Sequence, residues 1–269
     1  MNKGLIISYG HATHQGLKRA DNQDAFGKFP PDSLALSLPK GLLFIVADGM
    51  GGHANGKEAS AMAVHTVQQV YFADPRENIP DRLARAFEVA NERIYQRATS
   101  KLEFRGMGTT CTALVLKDDR AYIAHVGDSR AYRLTKSKIE QLTQDHSKVA
   151  EMQRLGILTE SEAKSHPEKS HLYRALGIAP TVKVDLVADL PLRPDERFLL
   201  CTDGLAKIAA HEIKQIVLAN SPPAACDKLI QLANARGGSD NSTVQVIWVK
   251  NPAAPGKGGL SVVRRLFGR

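Results

Sequence analysis

The sequence predicts an α+β protein in which antiparallel strands are covered by amphipathic helices. Three observations lead there. Apolar runs are joined by turns such as Lys117-Asp118-Asp119 and Thr135-Lys136-Ser137-Lys138. Those are too short for a helical crossover, so the strands they join must pair antiparallel. Two long segments with helical apolar spacing follow one another from Ala63 to Ile94, as a helix pair laid over a sheet does. And two apolar runs end in the same way, Phe44-Ile45-Val46-Ala47-Asp48-Gly49 and Leu199-Leu200-Cys201-Thr202-Asp203-Gly204. Each reads as a buried strand that delivers a carboxylate to its end.

Taken in order, residues 4–12 and 23–29 read as short strands flanking a polar loop that carries Arg19, Asp21 and Asp24. Residues 30–40 hold three prolines and read as loop, and 41–47 is a buried strand. In the first helix Ala63, Val67, Val70 and Tyr71 share a face. In the second Leu83, Ala86, Phe87, Ala90 and Ile94 do. Strands return at 109–116 and 120–126, and a hairpin spans 131–142. Residues 146–179 are polar with two short helical pieces and form the candidate flap. Val182, Val184, Leu186, Ala188 and Leu190 alternate as a half-buried strand, followed by a strand at 197–202. Helices at 211–219 and 223–235 and a last strand at 244–249 complete the body, read as one domain over 1–250.

Composition narrows the function classes. The formal net charge is +8, but half of it (Lys257, Arg264, Arg265 and Arg269) lies in an acid-free tail. The body shows no basic element with groove-reading partners, so nucleic acid is not the expected ligand. Residues 251–269 read as a disordered basic tail without membrane contact. No apolar run approaches the roughly 20 residues that span a bilayer. The N-terminus is too weakly apolar for a signal peptide. Cys111, Cys201 and Cys226 form no C-x-x-C pair, so neither a disulfide framework nor a zinc site is expected. The reading is a reduced, cytoplasmic, monomeric protein.

Five aspartates share a context. Asp24 starts a strand, Asp48 and Asp203 end apolar strands ahead of glycine, Asp128 follows a strand in Gly127-Asp128-Ser129-Arg130, and Asp240 precedes the last strand. Any one of them alone is an ordinary turn residue. Together, at strand ends, they can converge on one edge of a sheet. Crowded carboxylates repel unless a cation holds them, and an all-oxygen set suits Mg²⁺ or Mn²⁺ rather than zinc. Two such ions can activate a water and aim it at phosphorus. Arg19 has the fork that grips phosphate oxygens.

The chain also carries, in order, Arg19-x-x-Asn22-Gln23-Asp24, Asp48-Gly49-Met50-Gly51-Gly52-His53, Gly108-Thr109-Thr110, Gly127-Asp128-Ser129-Arg130, Thr143-x-Asp145-His146-Ser147, Ala175-Leu176-Gly177, Thr202-Asp203-Gly204-Leu205 and Gly238-x-Asp240-Asn241-x-Thr243. This ordered set resembles the metal-dependent protein serine/threonine phosphatases of the PPM, or type-2C, family in compact bacterial form.

The resemblance implies a four-layer αββα sandwich with a flap, and phosphoserine and phosphothreonine proteins as substrates, opposite a Ser/Thr kinase. It implies Asp48 bridging two Mn²⁺ or Mg²⁺ ions, the Gly49 carbonyl on one of them, and Asp203 and Asp240 on the other. Asp24, counted among the metal residues, would orient metal-bound water, and Asp128, with Asp203, would serve a third ion. Arg19 would bind the substrate phosphate. His53 would be a proton donor or a supporting group, and Asn241 is added to the catalytic set. No covalent phospho-enzyme is implied. Two departures stand out. Gln23 replaces the usual glutamate, and Ala206-Lys207-Ile208 follows Asp203-Gly204-Leu205 where a polar or acidic residue is usual. Gln23 keeps open a weak or inactive phosphoprotein-binding module on the same fold. A hydrolase of small phosphate esters is the remaining alternative.

Overall fold

A computed structural model of the chain describes residues 6–34, 36, 38–51 and 53–250, without the side chains of residues 53, 54, 160, 164 and 165. In chain order the elements are β1 (Ile6–His14), β2 (Asp24–Phe29), β3 (Leu42–Met50), α1 (His53–Ala73), α2 (Ile79–Ser100), β4 (Gly108–Thr109), β5 (Cys111–Lys117), β6 (Arg120–Val126), β7 (Arg130–Leu134) and β8 (Ile139–Gln141). Then come α3 (Lys148–Arg154), α4 (Glu160–Ser165), β9 (Asp185–Pro191), β10 (Arg197–Cys201), α5 (Ala210–Ala219), α6 (Pro222–Ala235) and β11 (Ser242–Lys250).

Two antiparallel sheets form the centre. One runs β1-β11-β10-β7-β8. The other runs β2-β3-β5-β6-β9, with β4 on the end of β3. Strand β3 shows why the layers stack. Its Leu43, Ile45 and Ala47 face α1 and α2, while Leu42, Phe44 and Val46 pack between the sheets. A strand buried on both faces must be apolar throughout, which is what its unbroken run records. The other sheet packs Leu199, Val244 and Val246 against Val217, Leu229 and Ala233 of α5 and α6. The result is the expected α+β architecture of four layers, αββα.

The helices form where their ends are satisfied. Asn78 caps α2 by accepting from the Asp81 N–H at 3.1 Å, with Pro80 in the first turn. The face predicted for α2 is the one buried: Leu83, Ala86, Phe87, Ala90 and Ile94 are fully enclosed. Cys111, Cys201 and Cys226 are buried and unpaired.

Among the boundaries that differ from the sequence reading, three have a tertiary reason. Strand β3 does not stop at Ala47. It continues to Met50 because β4 pairs with Gly49 and Met50. The strand expected at 109–116 is broken at Thr110, whose N–H turns to the Asp48 carbonyl at 2.9 Å. And β9 begins at Asp185, not Val182, because Val182 and Val184 pack against the core under α1 and α2 instead of joining a ladder.

The segment 146–179 holds α3 and α4 as its two short helices. Its roots are tied down. Leu176 bridges to Thr109, Gly177 donates to Asn91 Oδ1 at 2.9 Å, and Arg174 and His146 both meet Asp185, at 2.7 and 3.0 Å. Gly127 donates its N–H to His146 Nδ1 at 3.0 Å. His146 Nε2 therefore carries the proton and donates to Asp185. Residues 251–269, including the predicted tail, lie outside the described residues.

Candidate active site

The site is built at the seam between the sheets. Asp24 and Asp48 stand directly opposite one another across β2 and β3. Asp128 follows β6 of the same sheet. From the other sheet, Asp203 follows β10 and Asp240 precedes β11. Local hydrogen bonds fix the backbone that carries them. Asp48 donates its N–H to Thr110 Oγ1 at 2.9 Å, and its carbonyl accepts from Thr109 Oγ1 at 2.8 Å. Thr202 and Thr243 pair backbone to backbone at 3.0 Å, which locks the Asp203 end of β10 to the Asp240 end of β11. Gly49 is needed for contact. A Cβ there would lie 2.0 Å from the Gly56 carbonyl oxygen of α1, so no side chain fits where the strand passes the helix.

These elements line a cavity of about 360 Å³ that includes Arg19, Asp48, Gly49, Asp128, Asp203, Asp240, Ser170 and Leu172. Asp24 is not in the cavity wall, yet it feels the charges of Asp203 and Asp240. Each of the five aspartates retains some exposure, but protein encloses the carboxyl groups of four closely enough to lift their pKa. Burial raises Asp24 to about 7, with hydrogen bonds from Thr243 and Thr202 pulling the other way and repulsion from Asp203 and Asp240 adding to the rise. Burial, then Asp24, Asp203 and Asp128, pushes Asp48 well above the usual carboxylate range. Asp128 rises to about 8 through burial and then Asp203 and Asp145. Asp203 rises to about 6 through burial and then Asp240, offset by a hydrogen bond with Asp48.

Of the residues singled out in the sequence, Arg19, Asp48, Gly49, Asp128, Asp203, Asp240 and Asn241 border one cavity. Arg19 already has one partner: its Nη2 donates to Asp240 Oδ2 at 2.6 Å. Asn241 spends its side chain on the loop backbone. Its Nδ2 donates to the Gln15 and Asp21 carbonyls, and its Oδ1 accepts from the Gln23 N–H. Its contacts therefore hold the loop bearing Arg19 rather than face the cavity. His53 opens α1, and its side chain lies outside the described residues. Sequence reasoning quoted Thr202 and Thr243 within motifs but assigned them no role, and missed Thr13, Ser170 and Leu172. Hydroxyl residues bracketing both the Asp203 and the Asp240 motifs were the available signal.

The residues fit divalent cations. Asp24 Oδ1 and Asp203 Oδ1 are buried with no hydrogen-bond partner among the described residues. Buried acceptors left unsatisfied cost free energy, and a cation or its water removes that cost. Directly opposed carboxylates such as Asp24 and Asp48 repel, and positive charge relieves them. Among the described residues no three acidic, histidine or cysteine groups close a cage on one point.

A double-sheet sandwich that brings buried carboxylates from both sheets to one mouth, beside an arginine, is the build of a metal-dependent phosphohydrolase. Known proteins agree. The model of the protein phosphatase 2C family matches residues 14–239. The serine/threonine phosphatase Stp of Listeria innocua is 35% identical over 241 residues, covering 87% of this chain and 93% of that protein. The crystal structure of the Mycobacterium tuberculosis serine/threonine phosphatase PstP/Ppp superposes with a TM-score of 0.81 at 32% identity, over 91% of this chain and all of the other. A PstP catalytic domain in complex with two manganese ions superposes with a TM-score of 0.79 at 30% identity, over 91% and 99% of the two chains. The chain belongs to the protein phosphatase 2C family.

Proposed function

We propose that this chain is a metal-dependent protein phosphatase that hydrolyses phosphoserine and phosphothreonine in proteins. The observation that carries the reading is the convergence of carboxylates from both sheets, Asp48, Asp128, Asp203 and Asp240, on one cavity beside Arg19. The two-manganese PstP structure and the phosphatase names of the relatives support it.

In this reading Asp48, Gly49, Asp203 and Asp240 hold two Mn²⁺ or Mg²⁺ ions, and Asp128 with Asp203 serves a third. Such ions, when bound, lower the pKa of water and neutralise charge on the phosphoryl group. The chain's own residues do the positioning. Asp240 would be shared between the ions and Arg19, whose guanidinium would grip two phosphate oxygens. Asp24 orients the attacking water. The water oxygen bonds to phosphorus as the ester P–O bond breaks; the water gives up one proton and the departing alkoxide takes one, for which His53 is the candidate donor. No covalent phospho-enzyme is involved. The phosphatase domain spans 1–250, the flap 146–179 borders the site through Ser170 and Leu172, and residues 251–269 are a separate basic tail. The setting is a cytoplasmic monomer opposing a Ser/Thr kinase. No described helix is long and apolar enough to cross a membrane.

The test is phosphate release from a phosphothreonine peptide, with added Mn²⁺ against EDTA, for wild type and Asp203→Ala. Turnover that needs Mn²⁺ and is lost in the variant is the expected result. Saturable peptide binding without release, from folded protein with any divalent ion, would replace the enzyme with the binding module that Gln23 keeps open. Faster turnover of small esters than of the peptide would move the substrate class.

A further inference from the structure

A closed circuit of hydrogen bonds begins and ends on Asp24. The Asp24 N–H donates to Asn22 Oδ1 at 3.1 Å, and Asn22 Nδ2 donates to Thr13 Oγ1 at 2.9 Å. Thr13 Oγ1 lies 2.8 Å from Thr243 Oγ1, and the Thr243 hydroxyl donates to Asp24 Oδ2 at 2.7 Å. With the Asp24 carboxylate ionised, the direction of each link is fixed. The single Thr243 proton is spent on Asp24, so Thr243 must accept from Thr13. A second arm reaches the same oxygen. Thr202 Oγ1 accepts from the Thr243 N–H at 2.9 Å and donates its own proton to Asp24 Oδ2, also at 2.9 Å.

Two hydroxyl donors thus converge on Oδ2, while Oδ1 is buried with no protein partner among the described residues. The carboxyl is made asymmetric. One oxygen is saturated by the fold, and the other is left for water. The hydroxyls of this network come from three places far apart in sequence: Thr13 on β1, Thr202 just past β10 and Thr243 on β11, all on the side of the sheet opposite to the one that carries Asp24.

We propose that Thr243 and Thr202, backed by Thr13 and Asn22, are positioning residues that lock Asp24 across the sheet seam so that Oδ1 alone engages the attacking water. This rests on the phosphatase reading and deepens it. The hydroxyls do not touch substrate. They act through Asp24 by fixing its rotamer and by reserving one oxygen.

The experiment compares wild type, Thr243→Val, Thr243→Ser, Asp24→Asn and the Thr243→Val/Asp24→Asn double variant with the phosphothreonine peptide and Mn²⁺. Loss of a group that orients a ligand-bearing side chain typically costs about 10–100-fold. That loss is expected in kcat for Thr243→Val, with the peptide KM unchanged. Thr243→Ser keeps the hydroxyl and should restore wild-type turnover. In the Asp24→Asn background the valine should cost nothing more, because groups acting as one unit are not additive. Mn²⁺ affinity measured by calorimetry on the metal-stripped protein should change less than about twofold, since the affected carboxylate serves water in this reading.

Additive losses, or a serine variant as poor as the valine, would overturn the proposal in favour of plain packing. Thr202→Val supplies the same comparison from the second arm should Thr243→Val fail to give a cooperative melt. Wild type without turnover would sink the phosphatase reading itself. An active wild type with an unaffected Thr243→Val would sink only this inference.

Discussion

At the scale of single residues, the ion pair between Arg19 and Asp240 is the most consequential contact. Arg19 Nη2 sits 2.6 Å from a carboxylate assigned to the cations, although its side chain is 56% exposed. The substrate phosphate and Asp240 therefore compete for one guanidinium. Removing it costs substrate a charge-assisted hydrogen bond, roughly 1.5 kcal/mol, or about a tenfold rise in KM. We expect Arg19→Ala to raise the phosphopeptide KM by about that factor in steady-state assays, with a smaller change in kcat. An unchanged KM with a collapsed kcat would assign Arg19 to the chemical step instead. Asp48 and Asp203 were legible in the sequence because each closes an apolar run ahead of glycine. The Asp24 hydroxyl circuit was not, because Thr13, Thr202 and Thr243 are brought together only by pairing β1, β10 and β11.

At the scale of elements, the crossing of β3 and α1 is the tightest constraint. Gly49→Ala would place a methyl carbon 2.0 Å from the Gly56 carbonyl oxygen and 2.8 Å from that of Gln23. Backbone must move, and overpacking of this kind costs about 1–3 kcal/mol. A lower melting temperature together with weaker Mn²⁺ binding is the expected result. A wild-type melt would show that the strand end can slide. The flap gives a second expectation. Arg174 and His146 converge on Asp185, so Asp185→Ala removes the shared acceptor of both roots. Amide hydrogen exchange across 148–173 should quicken while exchange in β5 and β6 stays slow. Uniformly faster exchange would mean global destabilisation rather than release of the flap. Periodicity located α5 and α6 to within a residue. It missed the extension of β3 and the late start of β9, because both were decided by partners distant in sequence: β4 for the first, and the core under α2 for the second.

At the scale of the whole molecule, the site stores protons as well as binding cations. Burial and mutual repulsion hold Asp203 at about 6, Asp24 at about 7 and Asp128 at about 8, against an ordinary value of 3.8. Between about pH 4 and 8 the folded metal-free protein therefore holds more protons at these groups than the unfolded chain does. Their contribution to stability is largest in acid and falls as pH rises through that window. His125 works in the opposite sense. Burial, then the neighbouring His146, lowers it to about 4, so its contribution is lost as pH falls below the unfolded value of 6.5. Cations must displace the carboxyl protons, so Mn²⁺ affinity should be markedly weaker at pH 6 than at pH 8, with protons released on binding. Calorimetry at the two pH values, in buffers of different ionisation enthalpy, reads both quantities. Equal affinities and no proton release would show that these carboxyls are already ionised. The four-layer plan was legible only because the motifs occur together. Strand pattern alone gave the helix pair on a sheet, and the second sheet emerges from pairing the first strand with the last.

That pairing has a consequence for synthesis on the ribosome. Residues 6–14 find their ladder partner only in residues 242–250, and Asp240 directly precedes that partner. The sheet that presents Asp203 and Asp240 lacks its second strand until residues 242–250 emerge. A chain that stops short of residue 242 has no strand to join β1 to β10 and cannot hold the Asp203 and Asp240 ends of the mouth together.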